Sequence, residues 1–145
     1  TLRELAPELP IIPVLQGWSA DDYLRCVERY DRAGVDLTKT TVGLGTVCRR
    51  QGTADAVSIV ETVARAVPGI RIHGFGFKTQ GISLAHHMME SSDSLAWSFN
   101  ARKNPPLPGC THLKCASCLR WALRWRADLL ARPTQPMQLA MFSPA

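Results

Sequence analysis

The sequence predicts an α/β fold with a parallel sheet, and two observations lead to that prediction. Apolar runs of strand length alternate with amphipathic segments at intervals of about 25–30 residues, which is typical of right-handed βαβ units. Glycines and polar residues fall at the ends of several predicted strands, as in a TIM-type (β/α)8 barrel, whose site residues come from many strand ends. A small doubly wound sheet is the alternative, but neither G-x-G-x-x-G nor GK[ST] is present in the sequence.

The first part of the chain supplies two of the predicted strands. The run "IIPVLQG" (residues 11–17) has turn residues beside it and predicts a buried strand. Ser19 as N-cap, with Asp22 three residues later, forms a capping box that opens a helix, and Gly34 ends that helix. The run "TTVGLG" (residues 40–45) predicts the second strand.

Two more strands and three more helices are predicted further along the chain. A helix over residues 53–67 carries valines at helical spacing, and "IRIHGFGF" (residues 70–77) predicts the third strand. A helix over residues 81–90 precedes a fourth strand, "SLAWSF" (residues 94–99). A last helix is predicted over residues 117–131.

The composition is that of a globular chain with an uneven distribution of charge. Of its 145 residues 46% are hydrophobic, and no apolar run reaches the length of a membrane span. Residues 1–93 hold 10 Lys and Arg against 11 Asp and Glu, whereas residues 94–145 hold 7 against one. This basic surplus of the C-terminal part indicates a polyanionic partner such as nucleic acid. The alternative is a solvated helix face carrying Arg120, Arg124 and Arg126.

The segment "CTHLKCASC" (residues 110–118) concentrates three cysteines and one histidine. Sulfur and imidazole ligands suit zinc, and four of them complete the closed tetrahedral shell of a structural site. A disulfide pair or a loop with chance cysteines is the alternative, although five cysteines in all disfavour a secreted disulfide framework. The predicted ligands of one structural Zn²⁺ are Cys110, His112, Cys115 and Cys118, with His112 assigned by counting.

Three regions are predicted from these elements. Residues 1–103 are predicted to form half of a (β/α)8 barrel, and residues 104–131 are predicted to form a zinc-binding segment with the C-terminal helix. Residues 132–145 are expected to be a disordered tail. The chain is therefore expected to be a fragment of a longer protein.

Five stretches, in one order along the chain, resemble the tRNA-guanine transglycosylase superfamily of zinc-containing (β/α)8 barrels. They are the cysteine cluster, "PVLQGW" (13–18), "VGLGTV" (42–47), "IHGFGF" (72–77) and "SSDSLAWSFNAR" (91–102). The variants "VGLGTVCRR" and "HGFGFK", with the C-x-H-x2-C-x2-C spacing, look most like the deazapurine DNA-modification branch. The members of that branch are the DpdA-like proteins often carried by phages.

This resemblance implies a glycosyltransferase that exchanges guanine in DNA for a 7-deazaguanine base, with zinc in a structural role. Asp93 matches the position of the family's nucleophile and would form a covalent ester with C1′, as retention through double displacement requires. A turn or cap role is the alternative for a lone aspartate. The resemblance places residues 1–103 in the second, C-terminal half of the barrel, with the zinc-binding segment as an insert. The family's second aspartate, a proton-shuttling group from the first half of the barrel, has no counterpart in this sequence.

Further residues are predicted to hold the base and the nucleic acid. The predicted base-binding residues are Gln16, Gly17, Gly43, Leu44, Gly45, His73 and Gly74. Gln16 would bind the polar edge of the base or merely cap its loop, the glycines would admit the ligand or mark close packing, and His73 or Phe75 would stack on the base. The predicted phosphate contacts are Arg49, Arg50, Lys78, Arg102 and Lys103.

The expected partners follow from the same resemblance. They are DNA and a free 7-deazaguanine base, a homodimer or partner subunit is also considered, and no membrane is expected. The expected compartment is the cytoplasm of a bacterium or of a phage-infected host. Two competing functions stay open at this point: a tRNA-directed exchange, and a non-catalytic, zinc-stapled nucleic-acid-binding module.

Overall fold

The computed structural model describes residues 2–47 and 54–132 of the chain. Four short strands alternate with helices, and two helices follow the last strand. The elements are α1 (Leu2–Leu5), β1 (Val14–Leu15), α2 (Ala20–Arg32), β2 (Thr41–Leu44), α3 (Ala54–Ala66), β3 (Arg71–Gly74), α4 (Thr79–Ala85) with a 3₁₀ turn (His86–Met88), β4 (Ser91–Ser92), α5 (Ala96–Lys103) and α6 (Leu119–Leu130).

All four strands are parallel, and their order in the sheet is their order in the chain. The register aligns Val14, Gly43, His73 and Ser91 across the sheet. The predicted parallel α/β sheet is therefore confirmed. Among the described residues the strand order does not reverse, whereas a doubly wound sheet reverses its order at a switch point.

Helices α2, α3 and α4 lie side by side and cover one face of the sheet. This follows from the topology, because successive right-handed crossovers in one direction place every helix on the same face. The core between them is made by Leu15, Leu44 and Ile72 from the strands, with Val60 from α3. The residues that alternate with these strand positions, Gly43 and His73 among them, point to the opposite face, which no described helix covers.

The start of α2 confirms the predicted capping box. Ser19 is the N-cap, its hydroxyl accepts from the amide of Asp22, and the Asp22 carboxylate accepts from the amide of Ser19. A hydrogen bond from the Ser19 backbone amide, and a second one from the Trp18 amide with a smaller effect, lower the pKa of Asp22 well below its usual range. Gly34, just past the end of this helix, has a φ of 70° that glycine adopts without strain.

The predicted fourth strand over residues 94–99 is wrong. The strand is Ser91–Ser92, and the segment after it forms α5 (Ala96–Lys103). Trp97 and Ala101 recur at a spacing of four and pack into a second apolar cluster, so helical periodicity prevails over the short apolar run. Asp93 consequently follows a strand rather than preceding one. The predicted helix over residues 81–90 is α4 with its 3₁₀ turn.

A second, smaller apolar cluster lies between α5, α6 and the cysteine segment. Its buried members are Ala101, Leu107, Cys115 and Trp121, and Trp97 and Trp125 pack against them. The proposed boundary between residues 103 and 104 stays a prediction, and the tail beyond residue 132 lies outside the described residues. None of the described helices is long and apolar enough to cross a membrane.

Candidate active site and metal centre

The carboxyl ends of the four strands bring the predicted site residues to one edge of the sheet. Gln16 follows β1, Gly45 follows β2, and Asp93 follows β4 directly. Hydrogen bonds from the Gly45 amide to the Leu15 carbonyl (3.0 Å) and from the Phe75 amide to the Leu44 carbonyl (3.2 Å) extend the parallel pairing beyond the strands. Ligand sites of parallel sheets lie at this edge, so this part of the molecule is the candidate active site.

Asp93 presents a well-exposed carboxylate at this edge, with 62% of its side chain accessible. Its Oδ1 atom accepts from the backbone amide of Gly76 at 3.1 Å and lies 3.2 Å from Nε2 of His73. Gly76 has a φ of 66°, a left-handed conformation that favours glycine and that turns the loop after β3 toward the carboxylate. The carboxylate is thus oriented by the neighbouring strand while its outer side faces solvent.

His73 joins β3 to β4 through both ring nitrogens. Its Nδ1 lies 2.9 Å from the hydroxyl of Ser91, and its Nε2 lies 3.2 Å from Asp93. The imidazole edge contacts the Phe75 ring at a centroid distance of 4.9 Å and an interplanar angle of 73°. The prediction that His73 or Phe75 stacks on a base stays a prediction, and the observed partners of His73 are these three residues.

Glycines make room for side chains on the open face of the sheet. A Cβ atom at Gly43 would overlap the Phe75 ring, so this ring lies directly over the Gly43 backbone. A Cβ atom at Gly45 would lie 2.8 Å from Nε2 of Gln16, so the amide of that side chain lies flat on the loop after β2. The sequence left two roles open for these glycines, admission of a ligand and close packing, and close packing is observed at Gly43 and Gly45.

The loop after β2 is held from two sides by residues that the sequence did not single out for the site. The buried hydroxyl of Tyr23 donates to the Gly45 carbonyl at 2.6 Å. The Thr46 hydroxyl donates to Oε1 of Gln16 at 2.7 Å, and Thr46 has a φ of 66°. These contacts join residues 22 and 30 positions apart. The Gln16 amide nitrogen and the second lone pair of its Oε1 atom can still meet a ligand.

The remaining predicted base-binding residues lie away from the open face. Leu44 is buried in the core. A Cβ atom at Gly74 would lie 2.7 Å from Met89 Sδ, and one at Gly17 would lie 2.6 Å from the Cβ atom of Asp22. The sheet therefore groups Gln16, Gly43, Gly45 and His73 on one side, whereas Gly17, Leu44 and Gly74 serve packing.

The predicted phosphate contacts are spread over three segments. Lys78 is the N-cap of α4 and ends the loop after β3, on the carboxyl side of the sheet. Arg102 and Lys103 lie in the last turn of α5, roughly 10 Å along the helix from its start. The Lys103 ammonium lies 4.3 Å from the Phe99 ring centroid. Arg49 and Arg50 lie outside the described residues.

Asp93 also borders a cleft of about 590 Å³ between β4 and α6. Trp97 and Trp125 supply aromatic surface to this cleft, and Arg126 supplies a positive charge. A volume of this size admits a nucleoside-sized ligand. The cleft therefore connects the strand ends with the basic C-terminal helix.

The four side chains that the sequence predicted as zinc ligands form a cluster that could hold a metal ion. The ligand atoms of Cys110, His112, Cys115 and Cys118 all lie within 4.8 Å of one another. In a zinc tetrahedron with bonds of about 2.3 Å, ligand sulfurs lie about 3.8 Å apart. Cys110 Sγ and Cys118 Sγ are 3.9 Å apart, which matches this separation, and His112 Nε2 lies 3.0 Å from Cys115 Sγ. All four described cysteines are free, which excludes a disulfide between them in this structure.

Surrounding groups hold the sulfur atoms of this cluster in place. The Leu107 amide donates to Cys115 Sγ at 3.3 Å, and Arg120 donates to Cys110 Sγ at 3.5 Å and to the Pro108 carbonyl at 3.1 Å. Such outer contacts orient metal ligands. The Trp121 backbone amide at the start of α6 lowers the pKa of Cys118, whereas burial and the neighbouring thiols raise the pKa of Cys110. With four protein ligands the ion would crosslink the segment and leave no open position.

Fold and geometry together describe an α/β protein with a carboxylate-bearing candidate site at the ends of parallel strands and a separate Cys₃His cluster that could hold a metal ion. The chain belongs to the DpdA family, described as deoxypurine in DNA protein A, whose family model matches residues 4–140. No curated protein and no solved structure matches the chain. Family membership confirms the resemblance to the DNA-modification branch and suggests an enzyme with a role in deazapurine modification of DNA.

Proposed function

We propose that this chain carries the nucleophile of a transglycosylase that replaces guanine in DNA with a 7-deazaguanine base. Exchange must break the C1′–N9 glycosidic bond and form a new bond on the same face of the sugar. Two successive displacements through a carboxylate ester achieve this retention, as in retaining glycosidases. Asp93 is the proposed nucleophile.

The observation that carries the proposal is the placement of Asp93 in a chain of the DpdA family. The carboxylate follows β4 at the carboxyl edge of a parallel sheet, is exposed, and accepts from the Gly76 amide. A turn or cap role would bring the carboxylate to amides of its own segment, but its observed donors lie on the loop and strand of β3. An exposed, oriented carboxylate at a ligand edge suits attack on a sugar carbon.

The sheet topology supports the proposed (β/α)8 context. Parallel strands in chain order, with helices on one face, repeat the unit from which such barrels close. In the proposed enzyme further βα units would cover the open face that carries His73 and Phe75. Those units would also bring the proton-shuttling carboxylate that the family places in the first half of the barrel.

Base recognition is proposed for the residues that share the open face with Asp93. The Gln16 amide nitrogen can donate to a purine-like edge while its oxygen accepts from the Thr46 hydroxyl. The cleft beside Asp93 would take the sugar and the neighbouring nucleotide after the target base leaves the stack. Its aromatic walls suit stacking with bases.

Nucleoside mass spectrometry of cells that express the full-length gene tests this proposal. In cells with the wild-type gene we expect a 7-deazaguanine nucleoside in hydrolysed DNA and none in tRNA. In cells with the Asp93→Asn gene we expect this nucleoside in neither pool. A signal in tRNA alone would establish the tRNA-directed alternative. Absence of the nucleoside from both pools, in cells that supply the free base, would favour the zinc-stapled binding module.

The proposed nucleic-acid surface makes a separate prediction about salt dependence. Changing Arg49, Arg50 and Arg102 to glutamine should weaken binding about equally for all sequences. The slope of log K against log salt should flatten by about 0.9 for each lost duplex phosphate contact, because fewer counterions are released. Fluorescence anisotropy at four salt concentrations measures this slope.

A matched control for that variant changes three arginines at the opposite edge of the sheet. Arg29 and Arg32 lie in the last turn of α2, and Arg65 lies in the last turn of α3. Their replacement by glutamine removes the same net charge and should leave the slope within error of wild type. Equal slopes for both triple variants would assign the first set to a merely solvated surface.

A further inference from the structure

Both nitrogens of His73 are engaged, and this fixes the direction of each hydrogen bond. The ionised Asp93 carboxylate can only accept, so the Nε2 atom 3.2 Å away must carry the hydrogen. In a neutral imidazole Nδ1 is then an acceptor, so the Ser91 hydroxyl, 2.9 Å away, donates to it. The chain of donors runs from Ser91 through His73 to Asp93.

Both donors to Asp93 meet the same oxygen atom. The Gly76 amide and the His73 imidazole approach Oδ1, whereas Oδ2 has no hydrogen-bond partner within residues 2–47 and 54–132. The two oxygens of the carboxylate are therefore inequivalent. One is held by the protein, and the other is open toward solvent.

We infer that His73 is a positioning residue which, together with the Gly76 amide, holds Oδ1 of Asp93 so that Oδ2 is the atom that attacks C1′. This inference rests on the proposed function and deepens it by assigning a role to each carboxylate oxygen. It also replaces base stacking as the role of His73. The Asp93 carboxylate selects the Nε2–H tautomer, and the Ser91 hydroxyl completes the arrangement by donating to Nδ1, which holds the ring orientation.

The two steps of exchange use the oxygens differently. In the first step Oδ2 bonds to C1′ while the C1′–N9 bond breaks, and guanine leaves with the electron pair and takes up a proton from the proton-shuttling carboxyl group of the proposed first half of the barrel. In the second step N9 of the incoming 7-deazaguanine gives up its proton to the same group, now a carboxylate, and bonds to C1′ as the C1′–Oδ2 bond breaks. The electron pair of the C1′–Oδ2 bond returns to the carboxylate of Asp93, where the donors on Oδ1 stabilise the returning charge.

A purely structural role for His73 is disfavoured by its surroundings. Backbone pairing already joins β3 to β4 at this position, since His73 is in register with Ser91. The His73 side chain is 21% exposed and lies on the face that no described helix covers. Its ring nitrogens form hydrogen bonds with two polar side chains at the carboxyl edge of the sheet rather than with core residues.

Trapping of the covalent protein–DNA adduct in a single turnover tests the inference. His73→Phe should slow adduct formation by about 10²-fold, the scale of losing one preorganised donor, while non-covalent DNA binding changes less than about twofold. His73→Gln, whose amide can donate to Oδ1, should recover part of the rate. Ser91→Ala should cost about three- to tenfold. His87→Phe is the control, because His87 is an exposed imidazole in the 3₁₀ turn.

Nitrogen NMR of the protein without DNA supplies a readout that does not depend on turnover. We expect the His73 side chain as the neutral Nε2–H tautomer, and a change of its Nδ1 signal in Ser91→Ala. An Nδ1–H tautomer, or a His73→Phe variant that forms the adduct as fast as wild type, would overturn the inference. If wild type forms no adduct with any nucleic acid, the proposed function fails, and the positioning role of His73 fails with it. The NMR result separately decides the tautomer of His73.

Discussion

Asp93→Asn is expected to lower base exchange by about 10³-fold or more, the scale on which loss of a covalent catalyst acts. The amide keeps the size of the carboxylate, and its oxygen can still accept from the Gly76 amide and from His73. The nitrogen at the other position cannot form the glycosyl ester. The variant should therefore fold and bind the free 7-deazaguanine with little change while it fails to react. Single-turnover exchange with labelled base measures the loss.

Asp128→Asn is the matched control for this variant. Asp128 is an exposed carboxylate on α6, 4.0 Å from Arg124, and its replacement makes the same change of charge. Exposed ion pairs of this kind contribute little, so exchange should stay within about twofold of wild type. A denaturation-resistant protein–DNA adduct should form with the control and be missing from Asp93→Asn. Normal turnover by Asp93→Asn, or an adduct on another carboxylate, would refute the assignment.

Local sequence patterns predicted the first three strands because each of them lies in a short apolar run flanked by turn residues. The alternation of Val42 and Leu44 with glycines, and the capping box at Ser19, are such patterns, and the structure contains both as expected. The fourth strand has only two residues, both serines, so it has no apolar signature. Its identity depends on the register with His73, which no local pattern encodes.

The candidate site was predicted in part for the same reason. Asp93, Gln16 and His73 were found from their positions near predicted strand ends and from the resemblance. Their partners were missed because a backbone amide such as that of Gly76 has no side-chain identity. Tyr23 was missed as well, because it reaches its carbonyl partner from 22 residues away. Sequence spacing also could not tell which glycines face the open side of the sheet.

The metal cluster was predictable because all four ligands lie within nine consecutive residues. Such spacing leaves little freedom, and the four ligand atoms converge as expected. The contacts of Arg120 and Leu107 with the sulfurs were not predictable, since they depend on the placement of α6 and of the preceding loop. The structure thus adds the coupling between the cluster and the second apolar core.

That coupling predicts the effect of losing the metal. Cys115 is fully buried and belongs both to the ligand set and to the second cluster, whose other buried members are Ala101, Leu107 and Trp121. So small a core cannot order the segment alone, and structural zinc at such sites contributes on the order of 10 kcal/mol to folding. Cys115→Ser, or chelation, should unfold residues 104–132 and leave the sheet core intact.

Metal analysis and hydrogen exchange check this prediction together. Wild type should hold one zinc per chain, and Cys115→Ser should hold well under one and lose protection in α6 but not in β2 or β3. Cys26→Ser is the control, because Cys26 is a partly buried cysteine of α2 outside the cluster. His112→Ala tests the ligand assigned by counting, and it should weaken zinc affinity while three sulfurs remain. A protected α6 in metal-free protein would show that apolar packing alone orders this region.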